Sequence, residues 1–138
     1  MKVQEIMTTK VETISPTTSL RAAARKMADG NVGTLPVVDA DGQLLGIITD
    51  RDVSVFAIAM GHDPQSTEVQ KVMTKEVATC EESQDISEAA KIMEQHQIRH
   101  LAVVGSGNSM TGFLSVDDLA RTSSDLAGAV LEAATPIH

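Results

Sequence analysis

Thr49 and Asp52 lie three residues apart at the end of the run GIITDRD (residues 46–52), and Ser115 and Asp118 repeat that spacing at the end of GFLSVDD (residues 112–118). A hydroxyl donates to a phosphate oxygen. A carboxylate accepts from the two vicinal hydroxyls of a ribose, as acidic residues do in dinucleotide-binding folds. Read as chemistry, the pair recognises a ribose phosphate. Read as structure, hydroxyl-x-x-acid is a helix cap with an acid in the first turn, and for one short motif standing alone capping is the stronger reading. Either reading places the pair where a strand gives way to a helix, with first-turn amides that lack helical partners and favour an anion.

The elements that position the pairs come from a repeat. Sliding the sequence against itself by 66 residues aligns residues 3–52 with 69–118 without a gap, and 14 of the 50 pairs are identical. Val3, Gln4, Met7 and Thr8 fall on Val69, Gln70, Met73 and Thr74; Gly46 and Asp52 fall on Gly112 and Asp118. A period this long suggests a paired module rather than a solenoid. Each copy reads the same way. A short helical turn (VQEIM, residues 3–7) precedes an extended VETI (residues 11–14), which Ser15-Pro16 breaks. A helix follows over residues 19–30, its apolar positions at Leu20, Ala23, Ala24 and Met27 and its stop at Gly30. The second copy of that helix starts with Asp85 and Glu88 in capping-box positions. LPVVD (35–39), the Asp41-Gly42 turn and LLGIIT (44–49) form a hairpin, and residues 50–60 read as a second helix. The order is β-α-β-β-α, twice: an α+β fold whose two three-stranded sheets are expected to pack face to face about a pseudo-twofold axis. Ligand clefts are then expected where the repeats meet. The expected divisions are residues 1–66, 67–123 and a C-terminal helix or tail at 124–138, where Leu126, Val130 and Leu131 precede Pro136.

The whole pattern resembles a tandem pair of cystathionine β-synthase (CBS) domains, a Bateman module of the stand-alone prokaryotic type. The carriers are IMTTKVETISPTTSL, VGTLPVVDADGQLLGIITDRD, VMTKEVATC, IRHLAVV and GFLSVDD, which span residues 3 to about 122. The resemblance implies a non-catalytic regulatory fold that binds adenosyl ligands (AMP, ADP, ATP or S-adenosylmethionine) in its clefts. By position, it implies that Thr49 and Asp52, and Ser115 and Asp118, hold phosphate and ribose. Val32, Gly33, Leu35 and Pro36 match the segment that lines the base, and Ile98, Arg99, His100 and Leu101 take that place in the second repeat. Thr13, Ile14 and Pro16 fall in a loop that borders the base. The second repeat departs from the pattern at Ala102, where the first has Pro36, and in its hairpin GSGNSM (105–110), which lacks the acidic turn.

Other residues carry plainer readings. Arg99 and His100 are open to two, a phosphate contact or a surface pair. Arg51 reads as a solvated helix start. His62, His96 and His138 are scattered without metal-ligand spacing, and Cys80, the single cysteine, aligns with Ile14 on a strand and reads as buried and inert. Met7, Met27, Met73 and Met93 recur as core filler. With only Phe56 and Phe113 as aromatics, the core of this 138-residue chain is aliphatic. A net charge of −8 argues against sequence-independent nucleic-acid binding. The start of the chain has no secretion-signal core, and no apolar stretch is long enough to span a bilayer. A cytoplasmic protein is expected.

Three functions compete. A nucleotide-sensing module needs no cofactor and passes its signal to itself as a homodimer, or to a separate regulated protein. The apolar run VSVFAIAM (53–60) supports the homodimer. A structural or interaction CBS module without a nucleotide ligand is the alternative. An enzyme ranks last, since no paired acid and base, nucleophile beside a base, or metal cluster is present in the sequence.

Overall fold

A computed structural model describes residues 1–134, so Pro136 and His138 lie outside the described residues. The elements are α1 (Leu20–Gly30), β1 (Thr34–Val38), β2 (Leu44–Thr49), α2 (Asp50–Ser54), β3 (Thr79–Glu81), α3 (Ile86–His96), β4 (His100–Val104), β5 (Met110–Ser115), α4 (Val116–Ala120) and α5 (Ser124–Ala134). Short 3₁₀ turns stand at Val3–Glu5, Val69–Lys71 and Ser106–Asn108.

Compactness does not divide the chain at residue 66. Glu12–Val77 forms one unit, and Met1–Val11 joins the chain from Ala78 onward to form the other. The cause is a set of backbone hydrogen bonds made by the segment that opens each repeat. Val3 and Gln4 donate to the carbonyls of Gln84 and Glu82 (2.9 and 3.0 Å), and Thr8 and Phe113 exchange a pair of bonds, both 2.9 Å. In the other unit, Val69 and Gln70 donate to Thr18 and Pro16 (2.8 and 3.1 Å), and Ile47 and Thr74 exchange bonds of 3.0 and 2.9 Å. Each hairpin thus gains an edge from the segment that, in sequence, introduces the other repeat. The expected boundary describes the duplication, while the hydrogen bonds define the units.

The sheets are not equal. β3 runs parallel to β4 with Cys80 opposite Val103, and β4 runs antiparallel to β5, giving three strands. The other unit has two, β1 against β2, and the expected strand VETI is reduced to a bridge between Ile14 and Val37. Ile14 donates to Pro36 and accepts from Val38, both at 3.0 Å. The next parallel bond toward the chain start needs an N–H at residue 36, and proline has none. Ala102 restores that amide in the second repeat, where β3 forms.

Helix faces follow the apolar spacing. Leu20, Ala23 and Met27 of α1 are buried with Leu35, Val37, Ile48 and Val69; Ala89, Ala90 and Met93 of α3 are buried with Leu101, Leu114 and Leu119. Ser19 caps α1 by accepting from the Ala22 amide, and Asp85 caps α3 by accepting from Ser87. The α1 stop falls one residue beyond Gly30, at Asn31, which takes the left-handed conformation (φ 52°). The second helix of the first repeat is not uniform either: after Ser54 it loosens into a π-helical turn at Val55–Ala59, closed by Met60 donating to Val55 at 3.0 Å. The C-terminal segment forms α5, whose Ala127 and Val130 join the core with α3 and α4. In the Glu12–Val77 unit no such helix follows, and Ile58 and Met60 are 83% and 60% exposed.

Gly46 and Gly112 record how tightly the opening segments press on the hairpins. A methyl group on Gly46 would stand 2.6 Å from the Thr74 carbonyl oxygen and 2.8 Å from Met73 Sδ; on Gly112 it would stand 2.6 Å from Met7 Sδ and 2.9 Å from the Thr8 oxygen. Gly46→Ala is expected to lower stability by about 1–3 kcal/mol through overpacking. Gly128→Ala, in α5 with open space around it, should raise stability by about 0.5–1 kcal/mol. Urea denaturation of both variants checks the opposite signs.

Candidate functional site

The two hydroxyl–acid pairs occupy equivalent places, each spanning a strand end and the first turn of a helix. Thr49 closes β2 and caps α2; Ser115 closes β5 and caps α4. Their backbones nearly coincide, at φ/ψ of −113/163° and −111/163°. In each case the cap is reciprocal. Thr49 Oγ1 accepts from the Asp52 amide at 3.1 Å, and Asp52 Oδ2 accepts from the Thr49 amide at 3.0 Å. Ser115 and Asp118 repeat this at 3.1 and 2.9 Å. The structural reading of the motif is therefore real. It leaves chemistry unused, because a hydroxyl that accepts still has its own proton to donate.

The expected row of unpartnered first-turn amides is not found. Asp50 donates to the Gly33 carbonyl at 2.9 Å, Arg51 to Asp50 Oδ1 at 2.8 Å, and Asp52 to Thr49. In the second repeat Val116 donates to Arg99 at 2.8 Å and Asp118 to Ser115. The chain that leads into each hairpin supplies a carbonyl to the first of these amides, where an anion would otherwise bind.

The same bonds gather many of the sequence-selected residues. Val32 and Gly33 precede β1, whose first residue, Thr34, pairs with Thr49. Together with Asp50, Val53, Met27 and Ser54 they line an open groove of about 450 Å³. Thr49 and Asp52 lie beside that groove in sequence but not in its lining. Thr13 and Ile14 run beside β1, and the Thr13 carbonyl is held by Lys26 Nζ at 3.1 Å. Pro16 lends its carbonyl to Gln70. Leu35, Pro36 and Leu101 are buried, with the two leucines inside the cores, so neither leucine side chain is presented at an open surface.

In the second repeat Ile98, Arg99 and His100 reach the Ser115 junction by the same route, with His100 paired in register with Ser115. His100 is exposed as a residue, yet its ring lies against Phe113, centroids 5.6 Å apart and planes at 31°. That desolvation, with the charge of Arg99 second, lowers its pKa below the ordinary 6.5, and Asp117 opposes the change. Cys80 is buried, and burial pushes its thiol up to about 11, which leaves it protonated and unreactive.

Two features escape a reading of the sequence motifs. Asp50 places a carboxylate against Gly33, 3.1 Å from where a Cβ would stand. Arg121 Nη1 donates to Asp118 Oδ1 at 2.9 Å, with the Asp118 side chain 5% exposed. Aligning the repeats one turn past the motif exposes the second signal, since Arg121 falls on Val55.

The CBS-domain family model matches this chain twice, over residues 3–57 and 69–125. The chain belongs to the CBS-domain family. It is 39% identical over 131 residues to the CBS domain-containing protein YhcV of Bacillus subtilis, a match that covers 94% of this chain and 91% of that one. Among solved structures it resembles Hypoxic Response Protein I with two coordinated zinc ions, at TM-score 0.81 and 28% identity over 89% of this chain and 99% of that one. It also resembles the CBS domain pair of protein MJ0100 in complex with 5′-methylthioadenosine and S-adenosyl-L-methionine, at TM-score 0.77 and 27% identity over 88% and 94%. Among the described residues of this CBS protein, no three His, Cys, Asp or Glu side chains group as a metal site. No helix among the described residues is long and apolar enough to cross a membrane.

The His100 environment gives a pH prediction. The folded CBS pair binds this proton less readily than the unfolded chain does, so the unfolded state holds more protons between the folded pKa and 6.5. Stability then falls as pH drops below about 6.5. Melting at pH 7.5 and 5.5 is expected to show a smaller acid-side loss for His100→Gln than for wild type.

Proposed function

We propose that this CBS pair is a non-catalytic regulatory module that binds an adenosyl ligand through the hydroxyl and carboxylate at its strand-to-helix junctions. The observation that carries the reading is the unused capacity at Thr49 and Asp52. The Thr49 hydroxyl accepts one bond and keeps its proton, while Asp52 Oδ1 accepts no hydrogen bond among the described residues. A donor for a phosphate and an acceptor for ribose hydroxyls thus stand one helical turn apart. The solved complex of MJ0100 with two adenosyl compounds supports the ligand class. AMP, ADP and ATP belong to the class because they present the same ribose.

Base recognition is assigned to Thr13, Ile14, Pro16, Val32, Gly33, Leu35 and Pro36 in the first repeat, with the buried residues contributing backbone. Ile98, Arg99, His100 and Leu101 stand at the corresponding positions in the second. The ligand acts by stabilising one arrangement of the module over another, and the signal passes through a second copy or a separate regulated protein. The function is assigned to the cytoplasm. The reciprocal caps favour one competing reading, a purely structural CBS module in which both acids do nothing but hold helices.

Calorimetry and melting of Asp52→Ala separate these readings. Removing the charged acceptor of the ribose hydroxyls should weaken binding of S-adenosylmethionine or AMP by about 2–4 kcal/mol. Removing half of the cap should lower stability by only about 0.5–2 kcal/mol. In wild type, a ligand at one hundred times its Kd should add about 2.7 kcal/mol of stability. A melting screen of AMP, ADP, ATP and S-adenosylmethionine in which none shifts wild type would leave the structural reading standing.

Self-association is assigned to the helical face of the Glu12–Val77 unit, where Ile58 and Met60 are 83% and 60% exposed. In the other unit the aligned positions, Ser124 and Leu126, open α5, where Leu126 packs against the core that Ala127 and Val130 enter. The proposed occupant is a second copy. Ile58→Glu should convert a dimer to a monomer in sedimentation at tens of micromolar, roughly the range where micromolar affinities are read, with its far-UV spectrum unchanged.

A further inference from the structure

The two hydroxyl–acid pairs share backbone angles and both reciprocal cap bonds, and they differ at one atom. Asp52 Oδ1 is without a hydrogen-bond partner among the described residues, whereas Asp118 Oδ1 accepts from Arg121 Nη1 at 2.9 Å. With Oδ2 engaged by the Ser115 amide at 2.9 Å, both oxygens of Asp118 are held from within the chain. The Asp118 side chain is 5% exposed, while the guanidinium side of the pair belongs to a side chain 74% exposed. Asp52 is half-buried, and the residue three positions after it is Val55, which offers no donor.

A carboxylate that must accept from a ribose diol needs a reachable oxygen and its full negative charge. Asp52 retains both. Asp118 lacks them while Arg121 is in place, because the guanidinium covers the outward oxygen and neutralises the charge that would draw the hydroxyls. Resting on the ligand reading above, we propose that Arg121 is a specificity-determining latch that closes the Ser115–Asp118 site to ribose, so that the chain binds one adenosyl ligand, at Thr49–Asp52. Arg121 is open to water on its outer side, and the reciprocal Ser115–Asp118 bonds do not involve it.

The test uses the full chain and two probes, S-adenosylmethionine and AMP, in titration calorimetry of wild type, Asp52→Ala, Arg121→Val and the double variant Asp52→Ala/Arg121→Val. Arg121→Val installs the residue that the first repeat carries at this place, and Arg121→Gln is the second variant should valine disturb the fold on melting. Wild type is expected to bind one equivalent, Asp52→Ala none, and Arg121→Val two. The double variant should regain one equivalent, at least tenfold tighter than any residual binding by Asp52→Ala. Two equivalents in wild type overturn the latch, as does a silent double variant beside a binding wild type, and so does a loss of binding on removing Arg121. Those results leave the ligand reading intact. No binding by wild type or by Arg121→Val overturns the ligand reading, and the latch falls with it.

Discussion

The contact on which the rest of this structure depends is a backbone pressed against a glycine. Thr74 and Met73 approach β2 so closely at Gly46 that no Cβ fits, and Thr8 and Met7 do the same to β5 at Gly112. The approach lets each Met-Thr segment exchange two hydrogen bonds with the strand, Ile47 with Thr74 and Phe113 with Thr8. A hairpin alone has an open edge and one marginal sheet. The segment closes part of that edge and brings Val3 or Val69, both fully buried, into the core behind it. The glycine is therefore a packing requirement, with no unusual backbone angle involved, and it explains why the duplication preserves both the glycine and the Val-Gln-x-x-Met-Thr run that meets it.

This constraint also fixes where chemistry is placed. With the edge strand held at Gly46 and Gly112, β2 and β5 end three residues later at Thr49 and Ser115, and each must turn directly into a helix. The reciprocal cap makes the turn. A cap uses one lone pair of the hydroxyl and one oxygen of the acid, which is half of what the two groups can offer. Structural and ligand-binding duties are compatible on the same side chains for that reason, and a cap does not argue against a site. The two pairs differ in the neighbour on the next turn, valine in one repeat and arginine in the other.

Much of this is legible in the sequence, and the failures have specific physical causes. The repeat, the helix faces and the hairpins follow from periodicity and identity, which are local properties. The assignment of residues 1–11 to the second unit is not legible, because the gapless alignment matches segments by type and is silent about which copy of a hairpin each one pairs with. The loss of a strand around Ile14 is legible in principle: Pro36 lacks the donor that a parallel neighbour needs, so the change to Ala102 matters for the ladder as well as for any ligand. The amides at the helix starts defy the motif because Gly33 and Arg99 act through their carbonyls, which meet Asp50 and Val116, and not through their side chains. The acids themselves stand out in the sequence, whereas the arginine that distinguishes them lies beyond the motif.

A duplicated fold need not duplicate its surfaces. The second repeat is followed by α5, which buries Ala127 and Val130 against α3 and α4; the first is followed by a π-helical turn that leaves Ile58 in water. The wider turn changes which side chains follow the α2 face: Phe56 and Ala57 still pack against the core with Val53, while Ile58 and Met60 are left in water. The repeat with the open acid, Asp52, is therefore also the one with the uncovered helical face, and the repeat with the guarded acid, Asp118, is the one whose helices are sealed within the chain. The exposed Ile58 stands on the π-helical turn that follows the short helix begun by the Thr49 cap, so the open acid and the exposed apolar side chain share one stretch of a nominally symmetric sequence.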